Sequence, residues 1–110
     1  MYRKNPMSVV LVLTTVPDAA RGEEIARALV DGQLAACVNV CAPMTSFYRW
    51  KHAIERDTEH QLVIKTTPDR VAAVEARLAE LHPYELPELI VVPVAHGSAA
   101  YLDWVVQETR

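Results

Sequence analysis

The chain has 110 residues, 51% of them hydrophobic, with 14 acidic against 11 basic side chains and a formal net charge of -3. That length is one domain around one core, the hydrophobic share excludes a disordered chain, and the acidic balance argues against the basic surface of a nucleic-acid binder. No apolar run approaches the roughly 20 residues of a membrane span, so neither nucleic acid nor membrane is an expected partner.

Residues 1–7 read as a polar, frayed leader containing Pro6, and residues 8–110 as the single domain. Arg3 and Lys4 precede an apolar run, as in a signal peptide. The run stops at Thr14 and Thr15, and no small-residue cleavage site follows. It is instead the first strand of a cytoplasmic protein. Residues 8–14 lack polar alternation, which predicts a central strand covered on both faces.

Pro17 and Asp18 punctuate the chain, with Asp18 as helix N-cap and Glu23 and Glu24 near the positive end of the helix dipole. Ile25, Ala26, Leu29 and Val30 recur at helical spacing, and Gly32 suits the position past the end. The first helix spans residues 19–31. A second strand runs over residues 34–40, is interrupted by Pro43 at a bulge, bend or edge, and resumes over residues 46–50. A polar turn covers residues 51–56, and a third strand residues 58–66.

Thr67-Pro68-Asp69 is a helix start, with Thr as cap and Pro at the first position. Val71, Val74, Leu78 and Leu81 form one apolar stripe, which His82-Pro83 ends. The loop Tyr84-Glu85-Leu86-Pro87 leads into a fourth strand over residues 88–94. Gly97-Ser98 caps a last helix over residues 99–107. The order is βαββαβ plus a terminal helix.

The hairpin of strands two and three has arms of roughly 16 residues and a reach of about 50 Å. A compact domain of this size is roughly 35 Å across. The ribbon therefore overhangs its own core and calls for a second subunit.

Cys37 and Cys41 sit four residues apart, about 13 Å along a strand. A disulfide needs Cα atoms within about 7 Å, so they neither bridge nor grip one ion within one chain. Reduced thiols suit the cytoplasm. Cys37 has two readings, a small buried strand residue or a soft ligand for copper or zinc. His82, Tyr84 and Glu85 place an imidazole, a phenol and a carboxylate at a helix end. His82 is either a capping cation or a ligand contact, while Glu85 and Glu88 supply hard oxygens. Lys65 either faces an anionic ligand or pairs with an acid such as Glu88. Trp50 and Tyr48 share one strand face, suited to intersubunit packing or to stacking of bases. No nucleophile elbow, Walker loop, CxxC or HExxH is present, so the expectation is a binding protein rather than an enzyme.

Leu34-Ala35-Ala36-Cys37-Val38-Asn39, Thr45-Ser46-Phe47-Tyr48-Arg49-Trp50, Lys65-Thr66, His82-Pro83-Tyr84-Glu85-Leu86-Pro87-Glu88 and Tyr101-Leu102-Asp103-Trp104 follow one another in register. In this the chain resembles the CutA divalent-cation tolerance proteins over nearly its whole length. The resemblance implies an α+β, ferredoxin-like βαββαβ sandwich with a long hairpin and an extra C-terminal helix, assembled as a homotrimer similar to the PII signalling proteins. It implies binding of divalent ions, copper before zinc, with no organic cofactor. Cys37 and His82 are the implied metal ligands, with Glu88 and Tyr84 as pocket partners. The tip reads Trp50-Lys51-His52-Ala53, without the family's usual glycine and lysine, which implies a different turn. Thr14 stands where some members carry a second cysteine. The alternatives are a PII-like binder of a small anionic metabolite held between subunits near Lys65, Tyr84 and Glu88, and a trimeric scaffold for a protein partner.

Overall fold

The computed structural model describes residues 8–110, and the leader lies outside the described residues. The elements in order are β1 (Val10–Val16), α1 (Ala19–Asp31), β2 (Cys37–Trp50), β3 (Ala53–Thr66), α2 (Val71–Leu81), β4 (Ile90–Pro93) and α3 (Ala99–Glu108). One four-stranded sheet runs β2-β3-β1-β4 with every neighbouring pair antiparallel. This is the ferredoxin-like α+β arrangement.

The core forms because alternate residues of β1 and β3 point to one face and meet two amphipathic helices. Val10, Val12 and Val16 of β1 and Leu62 and Ile64 of β3 pack with Ile25 and Leu29 of α1 and Val74 and Leu78 of α2. Asp18 starts α1 by accepting the Arg21 amide at 2.7 Å. A methyl group at Gly22 would sit 3.1–3.2 Å from Val40, Leu62 and Val16, so the absence of a side chain lets α1 approach the sheet. Gly32 forms the C-cap at φ -81, and the left-handed conformation falls on Gln33 at φ 58 instead.

The hairpin departs from expectation in two ways. Pro43 does not interrupt β2, which continues as one strand through a register shift. Val40 pairs with Leu62 and Pro43 with His60, three steps on β2 against two on β3, so β2 carries one extra residue. His60 Nδ1 donates to the Cys41 carbonyl at 2.9 Å, satisfying a group within the bulge. The polar turn shrinks to Lys51 and His52, at φ 49 and 71, the positive pair that a type I′ turn requires. Pairing of Trp50 with Ala53 and Arg49 with Ile54 carries β3 back to the tip. Cross-strand pairs stabilise the ribbon enough to hold two non-glycine residues in a costly conformation.

β1 pairs with β3 from His60 to Thr66, so among the described residues Ala53 to Glu59 have β2 as their sole strand partner. The ribbon therefore projects, and the molecule measures 51 × 25 × 23 Å. β1 is not covered on both faces. Val10, Val12, Thr14 and Val16 are buried, while Leu11 and Leu13 are half-buried on the side opposite the helices. α3 covers the Val9 end of that sheet face through Leu102 and Val105, and among the described residues nothing covers the rest. β4 is also shorter than expected and exposed along its whole length.

Candidate cation-binding groove

The sheet face opposite α1 and α2 carries Glu59 and Gln61 of β3, since their neighbours His60, Leu62 and Ile64 alternate to the other side. The bulge decides what β2 contributes. Its extra residue shifts the alternation, so that Met44, Ser46, Tyr48 and Trp50 pair across from Glu59, Asp57, Glu55 and Ala53 on this face. Without it Phe47 and Arg49 would stand there.

The far wall is the loop after α2. His82 ends the helix, and Pro83, which has no N–H, prevents its continuation. The imidazole fastens the loop to β1. Its Nε2 lies 2.8 Å from the Thr15 carbonyl and 3.3 Å from the Thr14 hydroxyl, and its Nδ1 accepts the Tyr84 amide at 3.2 Å. A carbonyl only accepts and an amide only donates, so these contacts assign the neutral Nε2–H tautomer. Burial pushes the His82 pKa below its ordinary value, and the nearby Arg21 cation adds to this. The Thr15 carbonyl and the Glu59 charge act the other way.

Tyr84 stacks at 4.9 Å between ring centroids on His82 and donates its hydroxyl to Glu59 at 2.8 Å. Burial and that carboxylate raise its pKa above the usual phenol value. Tyr48 donates to Asp57, which raises its pKa to about 12.

Between ribbon and loop lies an open groove of about 750 Å³, lined by Tyr48, Trp50, Glu59, Tyr84, Glu85 and Glu88 together with Leu86 and Ile90. None of the described lining residues is Lys, Arg or His. Burial raises the Glu88 pKa, and the negative charge of Glu59 raises it further, against an opposing hydrogen bond from Gln61. Two carboxylates thus repel each other in a partly dry setting.

Tyr84, Glu85 and Glu88 therefore come together beside Glu59; Trp50, opposite Ala53 and six residues along β3 from Glu59, lines the far end of the groove, and Cys37 and Lys65 do not join them. Cys37 pairs directly with Lys65 at the other end of the hairpin. Glu59 lies six residues along β3 from Lys65, about 20 Å. The Lys65 ammonium lies 5.9 Å from the Tyr101 ring of α3. A single-chain pocket of Lys65, Tyr84 and Glu88 for an anion is not formed. Nor does one chain bring Cys37 to His82. Thr15, which His82 contacts, pairs with Gln61, four residues along β3 from Lys65 and hence about 13 Å away. Ligands of one metal ion bind it at about 2.0–2.3 Å. Both His82 nitrogens are engaged within this chain, so the imidazole fastens the loop to β1. Among the described residues no group of three or more His, Cys, Asp or Glu is arranged to hold a metal ion. A closed copper or zinc centre does not fit one chain. Of the three groove carboxylates, the mutually repelling Glu59 and Glu88 suit a hard, largely hydrated cation, which one or two carboxylates and several waters satisfy.

Glu59, the Thr14 hydroxyl and the Thr15 carbonyl carry no signal of this role in the sequence. The period-two pattern of β3 could have placed Glu59 beside Gln61, but only the fold shows that the loop from α2 reaches it.

A ferredoxin-like sheet with an over-long hairpin, flanked on its more open face by an acidic, aromatic groove, defines a class of small α+β domain. The family model described as CutA1 divalent ion tolerance protein matches residues 10–108. The divalent-cation tolerance protein CutA of Thermus thermophilus is 42% identical over 99 residues, covering 90% of this chain and 96% of that protein. Human protein CutA is 44% identical over 105 residues, covering 96% of this chain but 59% of its own length. The crystal structure of CutA from Xylella fastidiosa superposes with a TM-score of 0.91 at 45% identity, over 94% of this chain and 99% of that one. The chain belongs to the CutA1 divalent ion tolerance protein family.

Proposed function

We propose that the protein binds divalent cations reversibly, as a homotrimer and without catalysis, and thereby serves cation tolerance in the cytoplasm. The observation that carries this reading is the sign of the groove. Glu59, Glu85 and Glu88 line it with no cationic side chain among its described lining residues, and the Glu88 carboxyl is held up in pKa by burial and by Glu59. A divalent ion relieves that repulsion, while a small anion meets more of it. This weighs against the anionic-metabolite alternative.

The family name supports the cation, and the resemblance supplies the threefold form. The need for a partner is supported by the open sheet face and the projecting ribbon. Phe47 is 68% and Ile54 70% exposed, more apolar surface than a ribbon keeps without a neighbour. Copper, if it is the physiological ion, would take Cys37 from a site that more than one subunit completes.

Calorimetric titration with Mn(II) and Cu(II) tests the reading. The Glu59→Gln/Glu88→Gln variant should lose Mn(II) uptake, and Cys37→Ala should keep it. Mn(II) uptake unchanged by the double substitution would overturn the groove as the cation site.

A further inference from the structure

We propose that the subunits join front to back: the ribbon face bearing Phe47, Arg49, Ile54 and Arg56 seats on the groove-side face of the ribbon of a second copy of this chain. The inference rests on the homotrimeric reading above and names the two surfaces that make the contact.

Successive strand residues point to opposite faces, and directly paired residues share one. From Asp57 to the tip the ribbon therefore has two unlike faces. The front, continuous with the groove, sets Ser46 opposite Asp57, Tyr48 opposite Glu55 and Trp50 opposite Ala53. It carries acids and aromatics and no base. The back sets Phe47 opposite Arg56 and Arg49 opposite Ile54. It carries bases and apolar side chains and no acid. All four back residues are exposed. Arg56 lies 5.8 Å from the centroid of the Phe47 ring, and among the described residues neither guanidinium forms a salt bridge.

The complement to the back thus sits on the same chain at the same height. Arg56 is one residue from Glu55 and one from Asp57, about 3.3 Å along the strand. A copy laid front to back with little lengthwise shift brings guanidinium and carboxylates together, and covers Phe47 and Ile54 with Tyr48 and Trp50. Front-to-front or back-to-back contact would set like charges against each other, which costs affinity. Contact between unlike faces is head-to-tail, the kind that generates rings and not twofold dimers. This agrees with the threefold form. The contact occupies the outer ribbon and leaves Glu59, Glu85 and Glu88, at its base, to the cation.

Sedimentation equilibrium of the full chain tests the contact, and the parent should run as a trimer. Arg49→Glu/Arg56→Glu and Glu55→Arg/Asp57→Arg should each raise the protein concentration needed for assembly at least about tenfold, because like charges then meet. The substituted positions lie outside the core, and circular dichroism checks that the dissociated chains are folded. The chain with all four substitutions exchanges the charges of the two faces. It should assemble like the parent, a rescue that damage to the fold does not produce. A monomeric parent would overturn the homotrimeric reading itself. A trimeric parent indifferent to either reversal, or a four-substitution chain that assembles no better than the pairs, would overturn the front-to-back contact alone.

Discussion

The Tyr84 hydroxyl donates to Glu59 at 2.8 Å, joining the loop after α2 to the ribbon that projects beyond β1. The contact spans 25 positions of sequence and closes one end of the groove, while His82 fastens the same loop to β1 two residues earlier.

Tyr84→Phe keeps the ring stacked near His82 and removes this one bond. A charge-assisted bond of this kind contributes about 1.5–3 kcal/mol when buried, less here because the site is open to solvent. Stability should fall by about 1 kcal/mol, and amide hydrogen exchange should accelerate in residues 83–89 before the rest of the domain. Unchanged exchange there would mean that the loop is held by His82 alone.

His82 gives the fold a defined pH dependence. Its folded pKa lies below the ordinary value of about 6.5, so the unfolded chain binds the proton more readily. Its contribution is complete above that value and is lost as pH falls through it. Protonation also puts a second N–H on Nδ1, against the Tyr84 amide. Denaturant unfolding from pH 7.5 to 5.5 should show declining stability. The His82→Gln variant should be less stable at pH 7.5 and flatter across the range.

Glu88 carries a carboxyl whose pKa burial and Glu59 raise, so its ionised form opposes folding at neutral pH. Glu88→Gln should raise the melting temperature slightly in chelator, by less than about 1 kcal/mol in stability at this partly exposed site. The same substitution should reduce the stabilisation that added divalent ions give to the parent protein. Thermal melts with and without Mn(II) read both effects together.

Gly22→Ala sets two known magnitudes against each other. The methyl group gains about 1 kcal/mol in helix propensity. It meets three branched side chains at 3.1–3.2 Å, and such overpacking costs about 1–3 kcal/mol. Net destabilisation is expected, measured by equilibrium unfolding in urea. A more stable variant would show that α1 can lift from the sheet freely.

Element order was legible because each element carries a local signature: Asp18 and Gly32 about α1, His82-Pro83 after α2, Ser98 before α3. The turn at Lys51-His52 was not, because the glycine or asparagine that marks such turns is absent and cross-strand pairs decide the conformation. The bulge at Pro43 was foreseen as an irregularity, but its consequence, turning Tyr48 and Trp50 to the groove, depends on a register that only pairing fixes. Cys37 and His82 stand out in the sequence by residue type and by the resemblance. Their separation, and the engagement of both imidazole nitrogens, are long-range facts that residue type does not encode.

The most direct test of the cation groove is paramagnetic broadening by substoichiometric Mn(II) in amide spectra of the isotope-labelled protein. The account predicts that Glu59, Tyr84 and Glu88 broaden first, while Cys37 and Lys65 stay sharp. Early broadening about Cys37 with sharp signals in the groove would contradict it.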